Sequence, residues 1–319
     1  MSVIGAAAGV PFLDLAAVNR RFRREHERAW RALMDHGGFV GGPEVERFEE
    51  EFADYCGAAR CIGVANGTDA LELILRALGI GRGDEVIVQA NTFVATVEAV
   101  CAVGAVPVFV DVLPGTLQVD PSAVAAAVTP RTAGVIAVHL YGQMADVDAL
   151  GRVALRHGLA LVEDAAQAHG ARFRGVRAGG AGVAAGFSFY PGKNLGAFGD
   201  AGAVVTSDAA LADRVRRIAD HGRDPDDRRR HDLRGRNSRL DSIQAAVLSA
   251  KLRRLDEDNA GRARAMKAYR RLLPPACRVL DEHPASHPVH HLAVVRSAVR
   301  DRLAAGLTAG GIGWSVHYP

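Results

Sequence analysis

From Ile62 to Glu163 the chain alternates short apolar runs with segments of helical period, and little else intervenes. Ile62-Gly63-Val64 runs through Asn66-Gly67-Thr68-Asp69 into the apolar helix Ala70–Leu78. Glu85–Val88 precedes a helix around Ala95–Val103, and Val106–Val110 ends at Asp111 before a helix around Ser122–Ala127. Gly134–His139 precedes a helix near Val147–His157, and Ala160–Glu163 follows it. Short β-rich runs separated by helices argue against hairpins and for a mostly parallel sheet wrapped by helices, an α/β fold. In such a sheet, ligands bind in the crevice outside the carboxyl ends of the strands.

Upstream, residues 19–36 and 43–56 read as amphipathic helices, with Phe48 and Phe52 spaced to share one apolar face. After residue 206 the texture changes to a helix (Leu211–Ala219), an Arg- and Asp-rich stretch at 221–239 and a long helix (Leu240–Asp258). A strand (His291–Val295) and a helix (Arg300–Ala309) follow. The change predicts a large domain over 1–240 and a smaller C-terminal α/β domain over 241–319. A chain of 319 residues is long enough for both. The formal charge of +3 gives no electrostatic case for nucleic acid. Four cysteines (Cys56, Cys61, Cys101, Cys277) are too few and too scattered for a disulfide framework or a zinc ribbon, which favours buried thiols in a reducing compartment. The N-terminal apolar patch lacks the basic flank of a signal peptide, and no apolar run reaches membrane-spanning length. These features predict a cytoplasmic protein with no membrane partner.

The chemistry concentrates in Phe187–Gly202, FSFYPGKNLGAFGDAG. An apolar run breaks at Pro191-Gly192, presents Lys193, and passes a second Gly-rich turn. Glycines on both sides let the backbone approach something bulky. A lysine in such apolar surroundings loses hydration, its ammonium pKa falls, and the neutral amine becomes a nucleophile for an aldehyde. At Asn66-Gly67-Thr68 a strand meets a helix, whose first N–H groups can hold a phosphate, although an ordinary N-cap explains the turn equally well. Asp164 ends the run Leu159–Glu163, where an unpaired carboxylate is costly; a protonated ring nitrogen would partner it, and so would the N-terminus of a following helix. Gln167 is placed to donate to an oxygen on the same ring. Phe93 could stack on that ring or fill the core, and Ser188 could bind phosphate. Together these are the parts of a pyridoxal phosphate enzyme.

With those residues in place, the chain resembles the DegT/DnrJ/EryC1/StrS sugar aminotransferases. The resemblance runs through VPFLDL (10–15), ANGTDALELILRAL (65–78), NTFVAT (91–96) and HLYGQMADVDAL (139–150). It continues in LVEDAAQAHGA (161–171), SFYPGKNLGAFGD (188–200), NSRLDSIQAAVL (237–248) and GIGWSVHYP (311–319). It implies fold type I and pyridoxal 5'-phosphate as cofactor. Lys193 would then carry the cofactor and shuttle protons, Asp164 would pair with the pyridinium, and Gln167 would contact the ring hydroxyl. Gly67, Thr68 and Ser188 would bind the phosphate, and Phe93 would stack on the ring. Asn237 matches the asparagine that reaches the phosphate from a neighbouring subunit, which implies a homodimer with shared active sites. His317 and Tyr318 would line the sugar pocket. The wording around Lys193 is similar to that of enzymes aminating C-3 of a nucleotide-linked 3-keto-6-deoxyhexose, with an amino acid such as L-glutamate as donor. Family members continue past HYP, so the resemblance implies a small domain cut short at Pro319.

Other readings remain open in the sequence. A cyclitol or aminoshikimate-type enzyme of the same family would keep Lys193 without nucleotide contacts. A 3-dehydratase relative would carry histidine in its place, and a non-catalytic partner subunit leaves the intact Lys193, Asp164 and Gln167 unexplained. His283, His287, His290 and His291 fit no metal-ligand template, so no metal is expected. The arginines of Asp224–Arg236 read as a solvated loop or as contacts to a substrate diphosphate.

Overall fold

The computed structural model describes residues 9–227 and 229–318. The N-terminal segment forms α1 (Leu15–Arg20), α2 (Arg23–His36) and α3 (Pro43–Cys56). The alternating region then gives β1 (Arg60–Val64), α4 (Gly67–Ala77), β2 (Glu85–Gln89), α5 (Ala95–Ala102), β3 (Val106–Val110), α6 (Pro121–Ala126), β4 (Thr132–Val138), α7 (Val147–His157) and β5 (Ala160–Asp164). Two short strands, β6 (Arg172–Phe173) and β7 (Val176–Arg177), precede β8 (Ala184–Ser188), β9 (Gly202–Thr206) and α8 (Ala209–Ala219). The chain closes with α9 (Ser242–Leu252), α10 (Leu255–Leu272), β10 (Cys277–Val279), β11 (Ser286–His287), β12 (Val295–Ser297) and α11 (Arg300–Ala309).

Seven strands form one sheet in the order β1-β9-β8-β5-β4-β2-β3. The pairings among β8, β5, β4, β2 and β3 are parallel, as the crossover helices require. β9 is antiparallel to both of its neighbours, so it alone runs against the rest. Both faces are covered, which is why β2 and β9 are buried at every position. On one face Phe48 and Phe52 of α3 meet Phe187, Phe189 and the α9 residues Ala245 and Leu248. The Phe52 ring lies edge-on to those of Phe187 and Phe189, at 4.9 and 5.2 Å between centroids. On the other, the apolar stripe of α4 packs with α5 and α8 over β1, β2, β8 and β9. Gly186 allows the close crossing, since a Cβ there would lie 2.9 Å from Leu71 Cδ2.

Two expectations change. The helix foreseen over Leu240–Asp258 is two helices, broken at the exposed pair Arg253-Arg254, with buried Leu252 and Leu255 on either side in one core. α9, which opens the region expected as the smaller domain, packs against α2 and α3. The C-terminal strand is Val295–Ser297, paired with Cys277–Val279, and residues 291–294 stay irregular because His291 bonds elsewhere. Among the described residues no helix is long and apolar enough to cross a membrane.

Candidate active site

Four strands deliver their carboxyl ends to one edge of the sheet. Past β1, the Asn66 side chain accepts from Asp69 N–H at 2.8 Å and caps α4. That leaves Gly67 and Thr68 in the first turn, where N–H groups have no intrahelical partner and carry positive partial charge. Gly67 is confined by its neighbour: a Cβ there would lie 2.6 Å from Ser188 Cβ. The end of β8 is thereby pressed against the helix N-terminus, and Ser188 Oγ accepts only a long contact from Tyr190 N–H at 3.3 Å. Past β2, Phe93 is 53% exposed, so its ring face is free rather than spent in the core.

Asp164 ends β5 almost fully buried. Its Oδ2 accepts from Thr96 Oγ1 at 2.7 Å, and its Oδ1 accepts from Ala166 N–H at 3.2 Å. A carboxylate oxygen offers two lone pairs, so each still has room for a donor. Lys193 lies in the excursion between β8 and β9, closed by Ala197 N–H on Phe189 O at 2.8 Å. Its own N–H donates to Tyr190 O at 2.8 Å. Burial pushes its ammonium below the ordinary lysine value, and the charge of Asp164 partly opposes that shift. The half-buried amine and the buried carboxylate thus lie close enough for their charges to act on each other, which suits nucleophilic chemistry.

Gln167 is oriented by Tyr141, whose backbone N–H donates to Oε1 at 2.6 Å. Its Nε2 is turned toward Tyr318 Oη at 3.4 Å. Burial pushes the Tyr318 phenol up to about 12, so it stays protonated. The Tyr141 hydroxyl donates to His317 O at 2.7 Å and draws the C-terminal segment to the same place. The structure thus brings Lys193, Asp164, Gln167, Gly67, Ser188 and Tyr318 to one edge of the sheet. Asn237 is exposed, and its backbone bridges to Asp220.

Several residues here escaped the sequence reading. Thr96 holds Asp164, and Tyr141 holds Gln167. Asn194, beside the lysine, bonds Asn259, Val289 and His291. The four C-terminal histidines diverge: His291 goes to Asn194, His290 faces Glu282, His283 lies against Phe173, and His287 is in β11. Among the described residues no group of His, Cys, Asp or Glu is arranged to hold a metal ion. Arg236 is engaged inside the protein, with Asp69 at 3.0 Å and Glu72 at 2.5 Å, so that arginine is not free for a diphosphate.

A buried carboxylate with unused lone pairs, a desolvated amine and uncapped helix N–H groups fit a phosphorylated pyridine aldehyde. The model of the DegT/DnrJ/EryC1/StrS aminotransferase family matches residues 21–319. The erythromycin biosynthesis sensory transduction protein EryC1 of Saccharopolyspora erythraea is 51% identical over 97% of this chain and 85% of its own length. The dTDP-3-amino-3,4,6-trideoxy-alpha-D-glucose transaminase of Streptomyces venezuelae is 49% identical over 97% of this chain and 82% of its own. The crystal structure of S. venezuelae DesV with a ketimine intermediate superposes with a TM-score of 0.95 at 48% identity, covering 98% of this chain and 84% of that one. NtdA from Bacillus subtilis, solved with bound cofactor PMP, gives a TM-score of 0.90 at 30% identity over 100% of this chain and 74% of its own.

Proposed function

Because the chain belongs to the DegT/DnrJ/EryC1/StrS aminotransferase family, we propose that it moves an amino group from L-glutamate to C-3 of a nucleotide-linked 3-keto-6-deoxyhexose, with pyridoxal 5'-phosphate as cofactor. The observation that carries this is the half-buried Lys193 set near the partly satisfied carboxylate of Asp164 at the carboxyl edge of the sheet. The 3-amino sugar named in the Streptomyces venezuelae relative supports C-3.

When bound, pyridoxal phosphate supplies an electron sink for the carbanion left by breaking a C–H bond. Asp164 would hold its pyridinium, Gln167 its ring hydroxyl, Gly67, Thr68 and Ser188 its phosphate, and Phe93 would cover one ring face. Lys193 is the nucleophile, because burial favours the neutral amine over the ammonium. Nζ would be placed to take the proton from the donor α-carbon and to deliver one to C-3 of the sugar. Thr96 keeps Asp164 in one orientation, and Tyr141 does the same for Gln167. Tyr318 and His317 line the side from which the sugar enters.

The exposed side chain of Asn237 suits a reach into a partner's site, and the exposed Phe12, Trp30, Phe39 and Phe198 suit a homodimer. Buried free thiols at Cys56, Cys61 and Cys277 suit a reducing cytoplasm. The test is the visible spectrum of the protein loaded with pyridoxal phosphate, before and after L-glutamate. The band of the lysine-bound cofactor gives way to near-ultraviolet absorption on glutamate and never forms in Lys193→Ala. A band indifferent to every amino donor overturns transamination, and product analysis with 3-keto and 4-keto nucleotide sugars decides the position.

A further inference from the structure

The groups around Lys193 include one that reaches it from the C-terminal segment. Asn194 Nδ2 donates to Val289 O at 3.0 Å and to Asn259 Oδ1 at 2.9 Å. Asn259 Nδ2 in turn donates to His169 O at 2.9 Å, so both amide orientations are fixed by their acceptors. Asn194 Oδ1 is then an acceptor, so the ring nitrogen against it, His291 Nδ1 at 3.1 Å, must carry the proton. At the other end, the His169 ring lies 2.9 Å from Ser188 O, a carbonyl that can only accept, so Nε2 carries its proton. One chain of donors therefore runs from His291 through Asn194, Asn259 and His169 to Ser188, and it brackets the lysine turn on both sides.

We propose that His291 is a positioning residue for Lys193: by donating to Asn194 it locks the lysine turn in its half-buried setting and makes the C-terminal segment part of the reacting site. The proposal rests on the reading of Lys193 as the reacting amine. Donation is the whole of the role, so an amide in place of the imidazole preserves it. The charged and titratable groups around this spot are Asp164 from β5, His169 after it, His291 and His317 from the C-terminal segment, and Arg262 of α10 near His169 and His291. Burial holds His291 well below the ordinary histidine value, and the charge of Lys193 acts in the same direction, so the ring is neutral at pH 7. Without its donor, Asn194 loses a half-buried partner, the turn loosens, and Lys193 regains water.

The experiment needs no cofactor. Lys193 in the cofactor-free protein is reductively methylated with formaldehyde and cyanoborohydride across pH, and the Lys193 peptide is followed by mass spectrometry. Only the neutral amine reacts, so the midpoint reports its ionisation. We expect a wild-type midpoint below that of exposed lysines, a rise of about one pH unit or more in His291→Leu, and the wild-type midpoint in His291→Asn, whose amide donates from the same place. Asn194→Ala carries the same expectation as the leucine variant and decides the matter if that variant does not fold. An unmoved midpoint in the folded leucine and alanine variants overturns the proposal, as does an asparagine variant that rises with them. The glutamate-dependent spectrum of the wild type tests the aminotransferase reading separately: a lowered midpoint without a glutamate response removes that reading and leaves the positioning role standing.

Discussion

Glu163 and Asp164 are adjacent on β5 and point to opposite faces of the sheet. Glu163 Oε2 accepts from His139 Nε2 at 2.8 Å and from Gly179 N–H at 2.9 Å, and Oε1 accepts from Ala181 and Gly182 N–H at 2.9 and 2.8 Å. Each oxygen is fully used. His139 is held in the matching tautomer, since its Nδ1 accepts from Ala145 N–H at 3.3 Å. Burial works to raise the Glu163 carboxyl, but these donors prevail and hold it below the ordinary value. Asp164 receives one donor per oxygen and keeps the rest of its capacity for something else. The lesson is that completeness of hydrogen bonding, not burial or charge, separates a carboxylate that ties down a loop from one that waits for a ligand.

Breaking the Glu163 knot has the largest expected effect. Glu163→Leu orphans the buried His139 donor and three loop N–H groups, and urea unfolding should show a loss of about 3–5 kcal/mol. If the loss is under about 1 kcal/mol, the contrast between the two carboxylates is not one of scaffold and site. Asp164→Asn should do the reverse. We expect near wild-type unfolding but a glutamate half-reaction slowed roughly 10²–10³-fold in stopped-flow absorbance.

The pH dependence of stability sharpens the same contrast. His26 and His169 are pushed down by burial to about 4 and about 3, so below pH 6.5 the unfolded chain takes up protons that the folded one refuses. Stability then falls as pH drops, by about 1.4 kcal/mol per pH unit for each imidazole. The contribution of Glu163, whose folded value is depressed, is present above pH 4.5 and is lost only as pH falls through that lower value. A loss beginning near pH 6.5 and made shallower by His26→Phe assigns the acid limit to the histidines; onset near 4.5 assigns it to the carboxylate. The smallest effect is expected of Thr96→Val, which removes one donor from Asp164. The half-reaction should slow about tenfold with little change in unfolding.

What could be read from the sequence was whatever is local. The strand–helix alternation specified the parallel layers, and Lys193, Asp164 and Gln167 stood out because each lies near a strand end. Thr96 did not stand out, because its partner is 68 residues away and nothing at Thr96 marks it. The bond between Asn194 and His291 spans 97 residues, and His291 looked like one of several ordinary histidines. Similarly, no Gly or Pro marks the break at Arg253-Arg254; it exists because Leu252 and Leu255 both seek one core. Glu163 was read only as part of an apolar run, although its loop partners lie within twenty residues, because backbone donors leave no trace in side-chain identity.

The reversal of β9 has a consequence for how this site could change. A crossover between parallel strands leaves one edge of the sheet and comes back at the other, so only its first residues stay near the ligand. Residues 189–201 instead depart from β8 and re-enter at β9 on the same edge, so the segment that carries Lys193 begins and ends at the ligand side of the sheet. Lengthening or trimming that segment would move the lysine's amine relative to a stationary carboxylate without sliding any strand. The fold thus separates two adjustments that most parallel sheets couple: the reach of the reacting amine can drift while the register of the sheet stays unchanged.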